Sequence, residues 1–263
     1  MKTTPKMVTF LICVFMTGCL VNTFNNNDTK NTTSSTINHR FSNIDDLKSP
    51  IWVIKHSDTP LFNHFSFKRR VVDGPLRAKS QKKIALTFDD GPHGTYTQEI
   101  IQLLEIYDAN ATFFMLGAQV ELYPEVVQSL VDKGYEIGNH TWNHKDLTKL
   151  SKEEVIFQIN ETSHVIEEIT GERTILFRPP YGSTNYEVER VVKQRPILWD
   201  VDPMDWEVKD SQSIFRLVIE NVTNHSIILL HDIYEWTVEA LALILPFLKE
   251  QGYQFVTVSE LEK

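Results

Sequence analysis

From Ile84 onward, short runs of apolar and β-branched residues alternate with segments of helical period at intervals of roughly thirty residues, the spacing of βα units. No other feature restricts the fold of this chain as much. The pattern predicts strands at 84–88, 111–116, 135–139, 174–178, 195–200, 226–231 and 253–257, with helices between them at about 96–107, 123–133, 151–170, 185–193, 210–223 and 235–251. Ile84-Ala85-Leu86-Thr87-Phe88 has the composition of a strand covered on both faces, and Gly91-Pro92 ends it. Ser151-Lys152-Glu153-Glu154 reads as a helix start with Glu at the third position, and Gly134, Gly171 and Gly252 each follow a helix as left-handed terminators do. The alternation predicts an α/β fold, a distorted (β/α) barrel with about seven parallel strands. An open doubly wound sheet is the alternative, but no Gly-rich phosphate loop follows the first strand.

The chain ahead of this pattern has a different character. Lys2 and Lys6 precede an apolar run from Met7 to Met16, and Thr17-Gly18-Cys19 closes it with small residues and a thiol, the form of a secretion leader. Met16-Thr17-Gly18-Cys19 resembles a bacterial lipobox, with Met16 where Leu is commoner, and predicts Cys19 as a lipidated first residue of the mature chain. An ordinary cleaved signal is the alternative. Cys13 lies within the leader, so Cys19 is the remaining cysteine and no disulfide can form. The expected organisation is a lipoprotein signal peptide at 1–18 and a disordered Asn-, Thr- and Ser-rich tether at 19–43. A lead-in segment of unassigned role follows at 44–83, with a possible strand at Ile51-Trp52-Val53-Ile54, and then the barrel domain at 84–263. The expected location is extracytoplasmic, anchored by lipid to a bacterial cell membrane and facing the wall. No further run of eighteen apolar residues predicts a membrane span. A formal net charge of −9, made more acidic by removal of Lys2 and Lys6, speaks against a nucleic-acid partner and for a neutral or amine-bearing polymer.

In a β/α barrel the chemistry collects at the carboxyl ends of the strands. The first predicted strand ends in Asp89-Asp90, the third in Asn139-His140-Thr141-Trp142-Asn143-His144, and the fourth in Arg178-Pro179-Pro180-Tyr181-Gly182. The fifth opens onto Asp202-Pro203-Met204-Asp205-Trp206, and the sixth ends in Leu229-Leu230-His231-Asp232. Adjacent acids at a strand end cannot point the same way, so one can bind a cation while the other is free for proton transfer. A turn that favours Asp and Gly for backbone reasons is the plain alternative. His140 and His144 are four apart, so on one helical turn both imidazoles would face the same way and share a divalent ion. A carboxylate from another strand end would complete a His₂Asp set with positions left open, the pattern of a catalytic zinc.

Together, Thr87-Phe88-Asp89-Asp90, His140-Thr141-x-x-His144, Arg178-Pro179-Pro180-Tyr181-Gly182, Asp202-x-x-Asp205-Trp206 and Leu229-x-His231 resemble the five ordered motifs of the polysaccharide deacetylase family, the NodB homology domain of carbohydrate esterase family 4. The match spans about residues 84–258. The resemblance implies Asp89 as general base, Asp90 with His140 and His144 as metal ligands, and Thr141 as a brace between the histidines. It implies Arg178 as the partner that keeps Asp89 ionised, the Tyr181 backbone N–H as an oxyanion donor, and His231 as general acid with Asp205 as its charge partner. Trp206 and Leu229 are implied to line an acetyl pocket. The implied cofactor is a divalent metal, Zn²⁺ first and Co²⁺ as an alternative.

The expected function is metal-dependent removal of N-acetyl groups from N-acetylglucosamine in an envelope polysaccharide, with peptidoglycan the first choice. Alternatives are a chitooligosaccharide or exopolysaccharide deacetylase, an acetylxylan esterase, a non-catalytic carbohydrate-binding lipoprotein, and a glycosidase using Asp89 and Asp205. The expected partners are the polysaccharide and, through the lipid, the membrane; the oligomeric state is left open. His39, His56, His64, His164 and His225 have no chemical neighbours in sequence, whereas His93 is near enough to be a candidate substrate contact.

Overall fold

The structure, a computed structural model, describes residues 82–261. The leader, Cys19, the tether and nearly all of the lead-in segment lie outside the described residues. The first strand, β1 (Lys82–Asp89), starts two residues before the predicted boundary. It is followed by α1 (Tyr96–Ile106), β2 (Thr112–Met115), α2 (Gly117–Leu122), α3 (Pro124–Asp132) and β3 (Glu136–Asn139). Next come α4 (Lys152–Thr170), α5 (Tyr186–Val191), α6 (Asp205–Val208) and α7 (Ser211–Asn221). The chain then forms β4 (Ile227–His231), α8 (Glu235–Glu250), β5 (Tyr253–Val256) and α9 (Val258–Leu261).

All named strand pairs are parallel, in the order β3-β2-β1-β4, with β5 on the beginning of β1. Residue parity along β1 explains the layering. Ile84, Leu86 and Phe88 point into the large cluster shared with the helices, while Ala85 packs with Phe114, Leu176, Ile197 and Val256 in the barrel interior. Side chains alternate along a strand, so Thr87 and Asp89 share the interior parity of Ala85. The helices are set by local chemistry. Ser151 and Glu154 form a reciprocal capping box at the start of α4, and Gly171 ends that helix at φ 72, where a Cβ would be strained. The predicted helix at 123–133 is joined by a separate short helix, α2, ahead of Pro124, which opens α3.

The predicted strands at 174–178 and 195–200 are not regular strands. They contribute isolated parallel bridges, Asn139 with Phe177, Phe177 with Pro196, and Val201 with Ile228. These bridges complete the circuit from β3 round to β4 and make the barrel distorted. The cause is local. Pro179, Pro180 and Pro196 have no N–H for a ladder, and the Arg178 side chain takes the carbonyls of Ile197 and Leu198 at 3.0 and 3.2 Å.

Candidate active site

Asp89 is 3% exposed and faces the interior, where Arg178, 0% exposed, donates to its Oδ1 at 2.8 Å. The same guanidinium donates to Thr87 Oγ1 at 2.8 Å and lies over the Phe114 ring at 4.1 Å. Four acceptors therefore surround one buried cation. Burial pushes the Asp89 carboxyl above the ordinary carboxylate range, and the Arg178 charge and hydrogen bond pull against it.

Asp90 turns away from its neighbour at φ 73. Its Oδ1 lies 3.5 Å from both His140 Nε2 and His144 Nε2, and this buried oxygen has no hydrogen-bond partner among the described residues. One donor atom from each of Asp90, His140 and His144 can be chosen so that all three lie within 4.8 Å of one another. His140 Nδ1 is 2.8 Å from the Arg178 carbonyl, which can only accept. The proton therefore sits on Nδ1, and the Nε2 lone pair is left toward Asp90. Burial drives His140 down to about 3, so the ring is neutral at ordinary pH. An orphaned carboxylate oxygen between two imidazole nitrogens suits a divalent cation in donor chemistry and spacing.

The two histidines do not share a helical turn. Residues 140–144 form a loop in which Thr141 and His144 have φ 73 and 60. Asn139 Oδ1 accepts the Thr141 N–H at 2.8 Å, and Thr141 Oγ1 accepts the His144 N–H at 3.2 Å. Side-chain acceptors have replaced a helical ladder.

Across the cleft, Asp205 is fully buried and both its oxygens hold His231: Oδ1 to the ring Nδ1 at 2.6 Å, Oδ2 to the backbone N–H at 2.8 Å. Burial opposes charge on His231, but the Asp205 hydrogen bond and charge prevail and raise it to about 9. With Asp205 locked in this way, Asp89 and Asp205 do not form a glycosidase pair. The cleft between the two halves, about 410 Å³, is walled by Tyr181, Trp206 and Leu229. Tyr181 sits at φ 60 with its ring centroid 4.6 Å from that of His144 in an edge-on arrangement, and Trp206 is 46% exposed.

The motifs include Asp202 without giving it a role, and leave out Trp199 and Tyr234, which also stand in this wall. Trp199 and Tyr234 each lie three residues from a motif position, Asp202 and His231, and that nearness was the available signal. His93 serves α1 instead of the cleft: its Nδ1 accepts the N–H groups of Thr95 and Tyr96 at 3.2 and 3.1 Å. A larger depression of about 1110 Å³ opens at the strand-start end, where Lys133 pairs with Glu105, and no histidine lines it.

A parallel α/β barrel with a His₂Asp cation site at its strand ends is the class that fold and geometry define. The polysaccharide deacetylase family model matches residues 77–197. The peptidoglycan-N-acetylglucosamine deacetylase of Bacillus cereus is 44% identical over 190 residues, covering 69% of this chain and 89% of that protein. The chain belongs to the polysaccharide deacetylase family. The peptidoglycan-N-acetylmuramic acid deacetylase PdaC of Bacillus subtilis is 46% identical over 184 residues, covering 70% of this chain but only 39% of PdaC. The solved PdaC structure superposes with a TM-score of 0.69 at 46% identity, over 70% of this chain and 91% of that one.

Proposed function

We propose that this chain is a metal-dependent N-deacetylase of peptidoglycan, acting on N-acetylglucosamine. The observation that carries this reading is the convergence, around one cleft, of an orphaned carboxylate with two imidazoles, a buried Arg-Asp pair and an Asp-His pair. The names of the relatives point to peptidoglycan.

Asp90, His140 and His144 hold the metal in this reading, zinc by preference. When bound, a divalent ion polarises the acetyl carbonyl and lowers the pKa of a water molecule. Asp89 takes the proton of the attacking water, and Arg178 keeps that carboxyl aimed and biased toward its ionised form. His231, charged through neutral pH, delivers a proton to the departing amine, and Asp205 orients the ring. The Tyr181 backbone N–H is assigned to the developing oxyanion, where one such donor contributes about 2.7 to 4 kcal/mol in comparable sites. Trp206 and Leu229 exclude water around the acetyl methyl. Cys19 is read as the lipid-bearing residue that keeps the enzyme on the outer face of the membrane, next to its polymer.

Purified protein incubated with peptidoglycan and with chitin oligomers should release acetate, stop on chelation and recover with Zn²⁺ or Co²⁺. No acetate from either polymer in the presence of metal would overturn the reading. Globomycin, which blocks lipoprotein signal cleavage, should leave a larger precursor in cells; an unchanged size would remove the lipid anchor.

A further inference from the structure

Asp205 is placed by an element too short to hold it. α6 has four residues, preceded by Met204 at φ 56 and followed by Lys209 at φ 51, so its own backbone restrains the carboxylate weakly. Asp χ2 is a broad torsion with no sharp rotamer, and hydrogen bonds must set the carboxylate plane. One of them comes from the first turn of α8, which also holds the Asp205 backbone. Thr237 Oγ1 donates to Asp205 Oδ2 at 2.7 Å, and Trp236 Nε1 donates to the Asp205 backbone carbonyl at 2.7 Å. Thr237 is 0% exposed, and its hydroxyl has one proton to give. α8 is a rigid base, buried continuously from Ala240 to Leu245.

We infer that Thr237 is a positioning residue for the proton donor: by occupying Asp205 Oδ2, its hydroxyl fixes the carboxylate so that Oδ1 aims at His231 Nδ1. The inference rests on the reading of His231 as the acid that protonates the leaving amine. None of the five motifs contains Thr237. Without its hydroxyl, Oδ2 keeps the His231 N–H alone, the carboxylate rotates about Cβ–Cγ, and the ring loses its fixed aim. The effect falls where leaving-group protonation is demanding, on amides, and spares esters of acidic alcohols.

The test compares Thr237→Val, which keeps shape and loses the hydroxyl, with Thr237→Ser, which keeps the hydroxyl. Metal-loaded full-length protein is assayed on an N-acetylglucosamine oligomer and on an activated aryl acetate. The valine variant should lose about tenfold in kcat on the amide with KM unchanged, change by less than about twofold on the ester, and be restored by serine. Equal loss on both substrates, or a serine variant no better than valine, overturns the inference. A second readout needs no turnover. The His231 Nδ1–H should give a slowly exchanging low-field proton resonance in the parent and the serine variant, and a rapidly exchanging one in the valine variant. An unchanged resonance in the valine variant overturns the inference even where no acetate is released. Absence of acetate release by the parent alone sinks the deacetylase reading, a separate failure. If the valine variant does not fold, Thr237→Ala removes the same hydroxyl and carries the same expectations.

Discussion

The two halves of the cleft handle buried charge in opposite ways. On the side of β1 and β3, Asp90 Oδ1 has no hydrogen-bond partner among the described residues and His140 is kept neutral by burial. On the side of β4 and α6, both Asp205 oxygens are satisfied and His231 is kept charged. In one half the carboxylate beside the histidines keeps an oxygen without a hydrogen bond; in the other the carboxylate beside the histidine is fully engaged. A buried polar group without a partner costs free energy, so the first half gives up stability at a place where the proposed function puts a metal, while the second is preorganised for one proton.

The sharpest way to break this contrast is to remove one member of each half. Asp89→Asn should abolish turnover while the metal stays bound, measured by acetate release beside metal content; loss of the metal would reassign the two acids. His231→Ala should lower amide hydrolysis by about 10² to 10⁴ with metal content unchanged, and an activated ester should suffer less. The largest effect on stability is expected from Arg178→Met, which leaves Asp89 buried without its partner and costs about 3 to 5 kcal/mol in thermal or denaturant unfolding.

A pH series sharpens the same contrast. His231 is raised from 6.5 to about 9 in the folded state. Its pairing with Asp205 therefore stabilises the protein fully below pH 6.5, and this contribution declines as pH rises through about 9. The thermal midpoint of metal-free protein should fall across that window, and Asp205→Asn should flatten the fall. A slope unchanged by that substitution would place the titration elsewhere. The smallest effect is expected from Ser151→Ala, which opens the capping box of α4 at a cost of about 1 kcal/mol. α4 carries Gln158, whose Oε1 accepts the Trp142 and Asn143 N–H groups beside the histidine loop, so the melting temperature should drop with little change in kcat.

These expectations also show where the sequence was legible. The β1 run, the capping box at Ser151 and the strand ends bearing Asp89-Asp90 and His231 were readable because each is a local pattern with a local cause. The segments at 174–178 and 195–200 misled for the opposite reason: their apolar composition is that of strands, but their carbonyls are claimed by a guanidinium whose reach no spacing rule encodes. His140 and His144 do lie side by side with Asp90, but not on the helical turn their spacing predicts, because the left-handed Thr141 carries the turn instead. Thr237 gave no signal at all, since its partner is 32 positions away and appears only when α8 docks on α6.

The irregular closure of the barrel has a practical consequence for redesign. An engineer who regularised residues 174–178 and 195–200 into ideal ladder partners would draw the Ile197 and Leu198 oxygens into the sheet and strand the Arg178 fork without half its acceptors. A tidier sheet would then come with a misplaced Asp89, and lysine could not repair it, since a single ammonium lacks the planar reach to serve four oxygens on different segments. In this molecule the flaw in the wall is the socket for its central charge.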